Sequence, residues 1–184
     1  MRWIGYCWLI MVLVGCTQTD QPPSTASLFT LYIFDQAAIK QFETSTYDPT
    51  TLLATIDLER AAYVIPESAI IAYDWPQQTL KITNPWHDRL REMPFFMQEG
   101  SKVIVVFQQQ RIILTSLHSE DTARFISSDE TALYSSIQQD HIVYSFRYGS
   151  LLQTSQPPFP FLNTDPAIAE AVKNHLRQMG KLIE

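Results

Sequence analysis

Six stretches of strand length constrain the fold of this 184-residue chain more than any other feature. They are residues 28–34, 61–65, 79–83, 102–107, 111–115 and 142–148, each a short apolar, aromatic-rich or β-branched run, and 79–83 alternates with period two. Pro66 ends the second. Gln108, Gln109 and Gln110 separate the fourth from the fifth, which reads as a hairpin whose tip has neither Gly nor Asn to specify its turn type.

Helical signals are fewer and shorter. Asp35 is placed to cap a short helix running to Phe42. Asn84 followed by Pro85 supplies an N-cap and a first helical position for about two turns from Trp86 to Met93, stopped by Pro94. A polar excursion lies between Ser116 and His141; within it Ser127 and Glu130 fit a capping box, with Leu133 and Ile137 on one helix face. The clearest helix is the last: Asp165 caps it and Pro166 opens it. Ile168, Val172, Leu176 and Met179 recur along one side, and Gly180 closes it. These patterns predict an α+β domain: a largely antiparallel sheet with a few short helices and a C-terminal helix. No internal repeat is visible.

The N-terminus has a different character. Arg2 precedes twelve apolar or small residues, Trp3 to Val14, and then Gly15 and Cys16, the three-part layout of an export signal. A twelve-residue helix rises only about 18 Å against a hydrocarbon core of about 30 Å, so the stretch is too short to span. The polar run from Thr17 to Gln21 ends it abruptly.

Leu13-Val14-Gly15-Cys16 resembles the lipobox of bacterial lipoproteins. The resemblance implies cleavage before Cys16, a diacylglyceryl group on its thiol and acylation, palmitate included, of the new amine. The chain then divides into a signal peptide (1–15), a lipidated N-terminus and polar, Pro-containing tether (16–27), and a single globular domain (28–184). Lipoproteins with Asp after the lipidated Cys stay at the inner membrane; Thr17 stands there, which implies the outer membrane in a double-membrane host. In a single-membrane host the same anchor holds the domain on the outer side of the cell membrane. Two acyl chains anchor stably where one is marginal.

Removing residues 1–15 leaves 184 − 15 = 169 residues and a formal charge of 12 − 19 = −7. An acidic body without basic runs argues against nucleic acid. With Cys7 lost and Cys16 lipidated, the domain has no disulfide, thiol nucleophile, iron–sulfur cluster or thiolate zinc site. Its glycines are Gly100, Gly149 and Gly180, too few and too scattered for a phosphate loop, a dinucleotide fingerprint or a nucleophile elbow. No cofactor is expected.

Two places bring imidazole near carboxylate in the sequence: His118, Glu120 and Asp121, and Asp140 with His141. Acid–base or divalent-metal chemistry needs that pairing, but wet loops are also rich in charge, and no His pair has metal-ligand spacing, so no metal site is predicted. His87 sits among charges on a short predicted helix, and His175 lies at the margin of the last helix's apolar stripe. Tyr73, Trp75 and Trp86 are candidate stacking platforms; the alternative is that they close the edges of a small core. Gln156 to Phe161 reads as a polyproline-like connector. Residues 68–111 resemble small uncharacterised exported bacterial proteins, a likeness that brings no activity with it.

These features lead to a non-enzymatic envelope lipoprotein held at the membrane by lipid, binding an envelope protein or a small ligand. The rival is a hydrolase or metal-assisted enzyme using His118, Glu120, Asp121 or His141. A third reading is a structural spacer of the envelope, for which no specific partner would be recovered.

Overall fold

The computed structural model describes residues 27–35, 49–83, 101–120, 131–138, 140–148 and 165–184. In chain order the elements are β1 (Phe29–Phe34), α1 (Pro49–Thr55), β2 (Tyr63–Pro66), β3 (Ile70–Asp74), β4 (Thr79–Ile82), β5 (Ser101–Phe107), β6 (Gln110–Ser119), β7 (Thr131–Ile137), β8 (Ile142–Tyr148), α2 (Pro166–Gln178) and β9 (Leu182–Ile183). The nine strands form one mixed sheet in the order β2-β1-β5-β6-β7-β8-β4-β3-β9. The β6–β7 and β3–β9 pairs are parallel, the other six antiparallel.

One connection dictates the shape of that sheet. β2 lies at one edge and β3 next to the other, seven strand spacings away, which in a flat sheet is roughly 34 Å. Only the 3₁₀ turn Glu67–Ala69 joins them. From Pro66 to Ile70 the chain takes four steps and reaches at most about 15 Å. The sheet therefore curls until its two edges approach each other, and Lys181, just before β9, donates through Nζ to the backbone O of Glu67, just after β2, at 2.5 Å.

The concave face is the core. Phe29, Leu31 and Ile33 of β1, Ile65, Tyr73, Leu80, Ile82, Val103, Val105, Leu133, Ile142, Tyr144 and Phe146 all turn into it. Val172 and Leu176 of α2 complete it, so the last helix fills the curl rather than covering an outer face. On the convex side α1 packs Leu52 onto Phe34, Ile104 and Val106, joined by Ile56 just beyond it. β5 is thus buried on both faces, which is why residues 103–107 are continuously apolar instead of alternating.

Two sequence expectations need correction. The domain is not α+β: strands dominate, and among the described residues α2, with 13 residues, is the only helix longer than two turns. The helix expected to align Leu133 with Ile137 is instead β7, paired in parallel with β6 and antiparallel with β8. Leu133 turns into the core while Ala132 and Tyr134 form a separate convex cluster, the period of a strand. Bonding on both edges outweighed the local capping pattern. α2 itself follows the sequence reading, with Asp165 Oδ1 accepting from Ala167 N at 2.9 Å, although Met179 ends up exposed. The short helices expected to reach Phe42 and to run from Trp86 to Met93, and the 156–161 connector, lie outside the described residues.

The hairpin between β5 and β6 turns on Gln108 (φ 48°) and Gln109 (φ 67°), the paired left-handed residues of a type I′ turn. Left-handed backbone costs a non-glycine residue about 1–2 kcal/mol. Gln109→Gly is expected to raise unfolding free energy by about 0.5–1 kcal/mol, the relief less glycine's own entropy cost. Urea denaturation measures it, and a loss of stability would show that the turn is not strained.

Candidate functional site

Where the curled edges meet, a carboxylate is buried. Glu67 follows β2 in the 3₁₀ turn and is only 8 % exposed. Its Oε2 accepts from Phe29 N at 3.0 Å and from His175 Nε2 at 2.6 Å. A carboxylate can only accept, so Nε2 carries the proton. The Glu67 backbone is engaged as well: its N donates to Ser27 Oγ at 3.0 Å and its O accepts from Lys181 Nζ at 2.5 Å. The His175 ring rests against Phe107, centroids 5.6 Å apart. One residue thereby ties the start of β1, the end of β2, α2 and the approach to β9.

That knot is closed to catalysis of the serine type. Ser27 Oγ donates to Phe29 O and accepts from Thr30 Oγ1 and Glu67 N, so it is committed to the backbone and its neighbour. What surrounds the knot is apolar and open. The exposed large hydrophobic residues among those described are Leu28, Val64, Ile71, Met179 and Ile183, at 37 to 51 %. Each lies within four residues of Phe29, Glu67, His175 or Lys181. Gln108 and Gln109 of the strained hairpin join them, since Gln108 N donates to Leu28 O at 2.8 Å. Exposed apolar side chains beside strained backbone, as at Leu28 and this hairpin, are what an interaction surface looks like.

The residues singled out in the sequence are dispersed. His118 is buried on the convex face of β6, its ring 5.8 Å from that of Tyr134. On the same face Lys102 Nζ donates to Ser116 Oγ at 2.7 Å. Glu120 is exposed at the end of β6, with its N donating to Ser135 O. His141 precedes β8 and pairs with exposed Asp140, which holds that carboxyl below the usual carboxylate range. By register His118 aligns with Tyr134 and Ser145, which places it roughly 15 Å from His141. Asp121 and Trp86 lie outside the described residues, as does Cys16. Among the described residues no three His, Cys, Asp or Glu side chains are grouped to hold a metal ion.

Tyr73 and Trp75 lie against the core. Tyr73 is fully buried and its hydroxyl donates to Gln78 Oε1 at 2.9 Å; burial pushes its titration well up. Trp75 leans on the core 5.8 Å from Tyr73, with Lys173 Nζ 5.5 Å above its ring.

Inside the curl, Ser101 Oγ, Thr115 Oγ1 and Tyr144 OH are buried without a hydrogen-bond partner. Burial alone pushes the Tyr144 phenol far above its ordinary range. Their neighbours Leu80, Ile82, Val103 and Leu133 have no accessible surface.

Glu67 was missed in the sequence, although a lone acidic residue between Ile65 and Ile70 was the available signal. Nothing local indicates that His175, 108 positions later, is its partner. No family model, curated protein or solved structure matches this chain. No helix among the described residues is long and apolar enough to cross a membrane.

Proposed function

We propose that the chain is a lipid-anchored envelope protein that acts by binding rather than by catalysis, held on the outer side of a cell or outer membrane through Cys16. The observation that carries this is the N-terminal pattern, Arg2, an apolar run too short to span, and Leu13-Val14-Gly15-Cys16. Binding is favoured over hydrolysis because His118 and His141 stand apart and because the buried Glu67–His175 pair is closed by backbone partners. The exposed apolar residues around that pair offer a contact surface instead.

Growth with labelled palmitate tests the anchor. The wild-type chain incorporates the label and Cys16→Ser does not; equal incorporation by both refutes the anchor.

A further inference from the structure

The exposed apolar residues lie where the domain joins the segment leading back to Cys16. Leu28 is one of them, and Phe29, its neighbour, is bonded to Glu67. Met179 stands one helical turn past His175, which holds the other side of the same carboxylate. Twelve residues separate Cys16 from Leu28, at most about 43 Å when fully extended. A lipid at Cys16 therefore holds Leu28 within about 43 Å of the bilayer, a shorter leash than any residue of the sheet has, whereas Glu120, at the far end of the ten-residue β6, is roughly 33 Å from the Gln108–Gln109 tip.

The charge on this face fits the same occupant. The domain carries −7 overall, which opposes contact with anionic head groups. Here, however, Glu67 is buried against His175, and Asp74 Oδ1 accepts from Gln77 N. Glu184 is paired with Arg177 and Lys173. Lys173, Arg177 and Lys181 stand against Glu67, Asp74 and Glu184, so this face is close to neutral and does not repel an anionic leaflet as the rest of the domain does.

We propose that this seam, with Leu28 and Met179 at its centre and Val64, Ile71 and Ile183 around them, is the face that the domain lays on the bilayer surface. The proposal rests on the lipid anchor at Cys16. Apolar side chains on a face of low net charge bind an interface by partial insertion, without spanning it. The lipid then supplies attachment and the seam supplies orientation, presenting the β6–β7 end outward.

The test uses the lipidated full chain in vesicles of phosphatidylethanolamine and phosphatidylglycerol. Lipidation leaves no free thiol in the mature chain, so cysteines introduced singly as Leu28→Cys, Met179→Cys and Glu120→Cys take an environment-sensitive dye at one site each. Dye at 28 and 179 is expected to shift to the blue and to be quenched severalfold more by spin-labelled lipid than dye at 120. Equal quenching at all three sites overturns the proposal. A blue shift at 28 and 179 without lipid quenching also overturns it, by assigning the face to a second copy of the chain. Dye uptake by the otherwise wild-type chain marks failure of the anchor itself, distinguishable from failure of the docking face.

Discussion

Replacing Glu67 by alanine is expected to lower the unfolding free energy by about 2–4 kcal/mol, the usual consequence of leaving two buried donors without their acceptor. The loss is large because it strands other groups. Phe29 N and His175 Nε2 both lose their acceptor, 3.0 and 2.6 Å away, in a site that water reaches poorly. His175→Ala removes a partner but leaves the carboxylate its backbone donor, so it is expected to cost less. The double variant is then expected to fall short of the sum of the two, since each single change already breaks the shared bond. Chemical denaturation of all four forms checks this. Additive losses would mean that the pair is not coupled and that the Glu67 side chain acts through Phe29 N alone.

Tyr144→Phe is expected to stabilise the protein by about 1–2 kcal/mol. Most core truncations destabilise, so the sign is the informative part. The phenol hydroxyl is buried without an acceptor, and desolvating it is a cost that phenylalanine does not bear. The ring, held between β7 and β4 by its neighbours in register, stays where it is. Thermal and urea denaturation measure the change, and a destabilised variant would show that the hydroxyl finds an acceptor in solution.

Much of the sheet was legible because strands write a local pattern. The runs at 28–34, 61–65, 79–83, 102–107, 111–115 and 142–148 correspond to β1, β2, β4, β5, part of β6 and β8. β3 was not read as a strand because Tyr73, Asp74 and Trp75 mix polar and aromatic character that also suits a surface. Only the antiparallel register with β4, bulged at Ile71, decides between them. β7 was read as a helix because Leu133 and Ile137 satisfy helical spacing, and its strand state comes from partners on both sides. β9, two residues long, has no pattern of its own and exists because β3 offers an edge. At the seam the problem is distance along the chain: Glu67 finds Phe29 38 residues before it and His175 108 after. A titratable side chain buried by such remote partners looks like any surface glutamate.

The connectivity of the sheet also sets an order of events in folding. The first strand finds its central neighbour 107 − 29 = 78 positions downstream. The interior lacks Val172 and Leu176 until α2 is present. A chain emerging from its amino end can therefore nucleate little beyond isolated hairpins while it is being made. Rates in the millisecond-to-second range typical of non-local β topologies follow, with closure of the core deferred until α2 has been made.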